Sequence, residues 1–196
     1  MARRFQGAIE STEAWPIPIQ TLSGDDTSYN FSASALEGAL FRVQFGITFN
    51  RLHLVSGSGW NPAGTGRMRV CIYQAPSGVL STVMAKIFDE VVAGGDAAAA
   101  SVFEVTPGAP VVLEAGYYIL GCGLDTTLGG TLTPWLNSKI TNSMSGENNA
   151  NITGIPTTFT SLGAGSSATP PATIDPTGLT GGGGDDLVIS HKFRTV

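Results

Sequence analysis

The chain has 196 residues, 42% hydrophobic and only 13% charged, with 26 Gly, 11 Pro and a net charge of −5. That length fits one domain with extensions better than two, and the charged share is about half that of an ordinary soluble domain. The acidic balance, with no Lys/Arg cluster beyond Arg3–Arg4 and the spaced pair Arg67/Arg69, argues against a nucleic-acid binder, which needs a basic face. No run of 18 apolar residues exists to span a bilayer as a helix.

Low charge with many turn formers favours an all-β protein whose surface is Thr, Ser, Asn and Gly. Such a surface suits a chain held among neighbours, where few charges need desolvation. At the N-terminus, Arg3 and Arg4 have no apolar stretch behind them, so the start does not read as a secretory signal. The expectation is a soluble protein made in a bacterial cytoplasm.

Residues 1–27 read as an extended arm, and 28–196 as a single β-sandwich domain. Within the arm, Trp15, Pro16, Ile17, Pro18 and Ile19 form an apolar stretch that its prolines hold extended. Something must cover it, either the arm's own domain or a neighbouring subunit. Asp25–Asp26 after Gly24 reads as a turn, since no further acidic ligands follow at the alternating positions of a calcium loop.

Phe41, Val43, Phe45, Ile47 and Phe49 alternate with more polar residues, which predicts strand with five apolar side chains on one face. Leu52 and Leu54 continue beyond a break at Asn50–Arg51. The stretch accommodates two strands, or one strand bent by a bulge at Gly46. A loop spans 56–66. In the next strand Met68, Val70 and Ile72 face one way, and Arg67, Arg69, Cys71 and Tyr73 the other.

A turn at Pro76–Gly78 leads into residues 79–93, which are compatible with either strand or short helix. Ala97–Ala100 is too short to nucleate a helix alone. Residues 102–105 and 111–113 read as strands with a turn at Pro107–Gly108 between them. Residues 117–124 read as a buried strand whose glycines imply close backbone approach.

From 126 to 186 the chain is mostly Gly, Thr, Ser, Asn and Pro, a long loop region of the composition that stays disordered unless neighbours hold it. Residues 187–194 alternate again and form one closing strand. The sum is an antiparallel two-sheet sandwich, jelly-roll-like, with an arm and long loops.

The search for chemistry is largely negative. His53 and His191 both sit in strand patterns and read as structural. Gly57–Ser58–Gly59 lacks the frame of a nucleophile elbow. The glycine run 181–184 lacks the Lys and Ser/Thr of a phosphate loop and reads as a flexible loop.

The carboxylate pairs Asp25/Asp26, Asp89/Glu90 and Asp185/Asp186 are sequence neighbours that a strand would point to opposite faces, unlike the facing carboxylates of a glycosidase. Cys71 and Cys122 lack metal spacing and read as packed thiols, with a disulfide between them the alternative. No catalytic residue, cofactor or metal is expected. Trp60 and Trp135 are candidates for surface or sugar contact, because indole faces stack on pyranose C–H faces; packing against the domain or a partner is the plainer reading.

Three stretches carry a resemblance: Ile47–Leu52; then Gly66–Tyr73 after a Gly/Ala loop; then Leu113–Leu120. Together they resemble a sandwich domain of tailed-bacteriophage virion proteins, over about residues 40–125. That family's strands read "R-x-G-I-Y" and "L-x-A-G-x-Y-W-L". Here Cys71 stands where the pattern often has Gly, and Ile119 where it often has Trp. The pattern is a fold signature, so no catalytic residue carries over.

The resemblance implies a non-enzymatic virion structural protein. The expected role is a capsid decoration or cement protein on the particle exterior, a homotrimer or other symmetric oligomer bound to major capsid protein or other virion proteins. The alternative is a tail or fibre component that binds host surface carbohydrate.

Overall fold

A computed structural model describes residues 13–14, 27–30, 35–55, 67–76, 83–93, 102–125, 135–141, 151–152, 155–156, 158–163, 168–179, 186–189 and 191–196. Its strands in chain order are β1 (Glu13–Ala14), β2 (Thr27–Asn30), β3 (Glu37–Val43), β4 (Ile47–Val55), β5 (Arg67–Gln74), β6 (Met84–Ala93), β7 (Val102–Val105) and β8 (Val111–Leu113). They continue as β9 (Gly116–Asp125), β10 (Trp135–Thr141), β11 (Asn151–Ile152), β12 (Ile155–Pro156), β13 (Thr158–Phe159), β14 (Thr173–Ile174), β15 (Asp186–Ile189) and β16 (His191–Thr195).

Two antiparallel sheets form the sandwich. The larger runs β13-β3-β9-β5-β6-β14; the smaller runs β1-β16-β4-β7, with β8 also on β4. A three-stranded sheet β15-β10-β2 and the pair β11-β12 complete the described strands. The fold is therefore an all-β two-sheet sandwich, as the alternation predicts, and residues 84–93 resolve as strand.

The core lies between the two large sheets. One side supplies Phe41 and Val43 from β3, Met68, Val70 and Ile72 from β5, Phe88 and Val92 from β6, and Tyr118, Leu120 and Cys122 from β9. The other supplies Phe49, Leu52 and Leu54 from β4, Val105, Leu113 and Phe193. Each such side chain contributes about 1.5–3 kcal/mol on burial. Phe193 joins the layers, with its ring 4.7 Å from that of Phe49 and 5.8 Å from that of Phe41.

Four local expectations need correction. Of the two alternatives for 41–54 the two strands hold, in two sheets joined by a corner at Gln44–Gly46, but Phe45 is 77% exposed rather than on the core face. No break occurs at Asn50–Arg51. Instead β4 continues through a bulge, with Arg194 opposite Arg51 and Thr195 opposite Phe49, so that Asn50 is the extra residue. That inserted residue resets the phase and lets Phe49 and Leu52, three apart, both face the core.

The third concerns β7 and β8. They are not a hairpin about Pro107–Gly108: both run antiparallel to β4, on its 52–55 and 47–49 portions, as one strand interrupted opposite the bulge. The fourth concerns residues 187–194, which fall in two strands, one ending at Ile189 and the next beginning at His191. The first, β15, pairs with β10, and the second, β16, pairs with β4 in a different sheet.

The stretch 126–186 is less irregular than its composition implies. Residues 135–141 form the central strand of the three-stranded sheet. Residues 158–163 and 168–179 cover the outer face of the large sheet. There Phe159, Leu162 and Ile174 pack on Leu36, Cys71, Tyr73, Met84 and Ile119 in a second apolar cluster.

Two glycines make the seat for Leu162. A Cβ on Gly121 would lie 2.7 Å from Leu162 Cδ1, and one on Gly38 would lie 3.1 Å from its Cδ2. The expected close approach at the β9 glycines is met by this covering segment at Gly121 and by the Ala35 carbonyl at Gly123. The segment's short strands β13 and β14 pair with β3 and β6, the edges of the four long strands, which shields backbone groups that would otherwise template association.

Candidate functional site

Of the sequence-derived site residues, Trp135 alone falls among the described residues. Trp15, Pro16, Ile17, Pro18, Ile19 and Trp60 lie outside the described residues. The arm does meet its own domain just before Trp15: Glu13 and Ala14 pair with Arg194 and Phe193 of β16. Trp135 opens β10 in register with Asn30 of β2. His53 and His191 fall on neighbouring strands, β4 and β16, but not opposite each other.

Cys71 and Cys122 are both free and buried. Their side chains enter clusters on opposite faces of the large sheet, which rules out a bond between them in this fold. Among the described residues, no group of three or more His, Cys, Asp or Glu could hold a metal ion, and no helix is long and apolar enough to cross a membrane.

Two polar clusters stand out instead. The first is built by a bulge in β6. Residues three apart on a regular strand face opposite ways. Here Ile72 pairs with Phe88 and Tyr73 with Lys86, so Ile87 is the extra residue. Ile87 and Phe88 then both turn inward, and Lys86 and Asp89 both turn outward. Asp89 accepts from Lys86 Nζ at 2.8 Å and from Arg69 Nη1 at 2.9 Å, and the Cys71 thiol donates to it at 3.4 Å.

The covering segment closes this cluster: Lys86 Nζ donates to the Pro170 carbonyl at 3.2 Å and the Tyr73 hydroxyl to that of Pro171 at 3.1 Å. Burial alone would raise the Asp89 carboxyl, but the hydrogen bonds and charges of Lys86 and Arg69 outweigh it and hold the group below its usual range. Burial pushes the Cys71 thiol up, and the Asp89 charge pushes it further. The result is an ionised carboxylate beside a protonated thiol, the reverse of an activated nucleophile.

The second cluster lies on the open face of the smaller sheet. Arg51 Nη1 donates to Glu104 Oε1 at 2.7 Å, and His53 Nε2 meets Oε2 at 3.0 Å. Burial would raise Glu104, but the bonds from Arg51 and His53 prevail and keep it ionised. Arg194 is the cross-strand partner of Arg51, so two cations neighbour each other on this face with Glu104 bonded to one of them. At one end of this face Val112 and Val196 flank Thr48; they are 54% and 78% exposed.

Neither cluster offers two facing carboxylates or a carboxylic acid that would donate a proton near neutrality. Sequence reading placed Arg69, Cys71 and Tyr73 on one face but missed Asp89, because only the bulge brings it there. The fold defines the class as an antiparallel β-sandwich protein. No protein-family model matches the sequence, and no curated protein matches it either.

Proposed function

We propose that the chain is a structural component of a tailed-bacteriophage particle: a decoration or cement protein on its exterior that bridges neighbouring subunits. The observation that carries this reading is the sequence resemblance at Ile47–Leu52, Gly66–Tyr73 and Leu113–Leu120. Those stretches supply Leu52, Val70, Ile72, Tyr118 and Leu120 to the sandwich core. A pattern made of core positions supports shared architecture rather than shared chemistry.

The low charge and the exposed Phe45, Val112 and Val196 add to it, since apolar side chains left in water favour burial against a partner. The work would be mechanical. Apolar area buried between subunits yields roughly 25 cal/mol per Å² before association costs. The arm residues Trp15, Ile17 and Ile19 are the proposed contacts with major capsid protein.

The test is the copy number of this chain in purified particles from the host that encodes it, read from a stained gel. Hundreds of copies are expected for a decoration protein. A dozen or fewer would move the assignment to a fibre or connector, with Trp60 and Trp135 then candidates for carbohydrate contact. Absence from the particle sinks the reading. On decorated particles, the triple change Trp15→Ala, Ile17→Ala and Ile19→Ala is expected to abolish binding.

A further inference from the structure

The two apolar clusters among the described residues do not share a cover. The cluster between the sheets takes no side chain from residues 158–163 or 168–179. The cluster on the outer face of the large sheet takes Phe159, Leu162 and Ile174 from them, with Leu179 packed alongside. Removing those pieces would strip the outer face and leave the sandwich core intact.

Their hold is also local. At one edge the described backbone bonds are the two-residue pairing of β13 with β3 and a bond from the Leu162 amide to the Leu36 carbonyl at 2.8 Å, with β15 also against β13. At the other they are the two-residue pairing of β14 with β6 and a bond from the Lys86 amide to the Ala172 carbonyl at 2.9 Å. Side-chain bonds to this segment come from Tyr73 and Lys86, and Asp89, itself held by Arg69, fixes the Lys86 ammonium in place.

From this separation we propose that residues 158–163 and 168–179 act as a releasable strap, latched at Lys86 and Asp89, that lifts while the sandwich stays folded. Contiguous pieces with few buried contacts open at lower free energy than the cores they cover. Lifting uncovers the apolar face around Cys71, Tyr73, Met84 and Ile119 together with the edges of β3 and β6. An apolar face flanked by free strand edges is the kind of surface through which copies of a β protein join. The inference does not depend on the chain's place in a particle.

The two thiols report on the two events separately. Cys71 lies beneath the strap and Cys122 between the sheets, on adjacent strands, with Cys71 opposite Gly121. Alkylation of the folded full-length chain by N-ethylmaleimide, read site by site by mass spectrometry, is expected to modify Cys71 faster than Cys122. Lys86→Met keeps the aliphatic stem and removes the latch. It is expected to speed Cys71 about tenfold, the ratio expected from one charge-assisted hydrogen bond, and to leave Cys122 unchanged.

A second variant locks the strap. Ala85 and Thr173 are exposed partners across β6 and β14, and the neighbouring bond from Lys86 N to Ala172 O makes them a non-hydrogen-bonded pair, the closer kind. Ala85→Cys with Thr173→Cys, oxidised, is expected to slow Cys71 to the rate of Cys122. Equal rates at both native thiols in the unaltered chain, or a Cys71 rate indifferent to the cross-link, would show that the outer face opens only with the whole fold and would overturn the proposal.

Discussion

The inner face of the six-stranded sheet is covered by another sheet, the outer face by an irregular segment rich in Pro, Ser, Thr and Gly. The inner cover rests on strands far apart in sequence whose side chains interlock, with Phe193 in ring contact with both Phe41 and Phe49. The outer cover rests on four apolar side chains, a latch and two short pairings. Both leave their sheet face dry. The difference lies in how many contacts must fail together before water enters.

The largest effect is expected where that cooperativity is greatest. Phe193→Ala removes the ring that joins both layers and should cost about 3–5 kcal/mol. Urea unfolding should show the midpoint fall with a single transition, and alkylation of Cys122, which waits on opening of the core, should rise towards the rate of Cys71. If only Cys71 responds, the two faces are not covered as described.

Leu162→Ala should cost less, about 2 kcal/mol, because the void it leaves above Gly38 and Gly121 lies under a segment that can settle into it. Its mark should be selective, with Cys71 accelerated and Cys122 nearly unchanged. A loss as large as that of Phe193→Ala, with both thiols exposed, would merge the two covers into one cooperative unit.

Acid sharpens the same contrast through Asp89. Its folded-state pKa lies below the value near 3.8 of the free group, so the unfolded chain takes up the proton first as pH falls. The stabilisation is therefore complete above that unfolded value and is lost as pH drops through it towards the lower folded one. With Asp89 about one-quarter exposed, the contribution at neutral pH is about 1 kcal/mol. The stability difference between the native chain and Asp89→Asn should close over that acidic window. A difference independent of pH would mean that the carboxylate acts by shape rather than charge.

The inner cover was legible in the sequence and the outer one was not, for one physical reason. Met68, Val70 and Ile72 keep the period of a strand, and so does Tyr118 with Leu120. Period 2 was therefore enough to find β5 and the fold class, while residues 79–93, which hold β6, stayed open between strand and helix. Three features broke the period: the extra residues Asn50 in β4 and Ile87 in β6, and the corner at Gln44–Gly46; the sequence marked an irregularity at the first and the last but not which way the chain faces beyond them, and left Ile87 unmarked. Each reverses the facing of everything after it, which is why Phe45 was placed inward and Asp89 was not seen beside Lys86.

In the outer cover, Phe159, Leu162 and Ile174 are scattered among polar residues and held by long-range seats. Nothing local distinguishes them from loop residues. The alternation at 187–194 was real, but periodicity cannot report that the chain changes sheets between Ile189 and His191.

The smallest effect belongs to the open face of the other sheet. Arg51 and Glu104 are 41% and 34% exposed, so water screens their pair on both sides. A double-mutant cycle with Arg51→Gln and Glu104→Gln should give a coupling of about 0.5 kcal/mol or less that fades as salt is raised. The exposed Val112 and Val196 lie at one end of this face. If the cycle is run on the chain bound in a particle and the coupling grows and ceases to respond to salt, water has left the pair. The open face of the smaller sheet, rather than the latched face of the larger, would then be the one turned towards a partner.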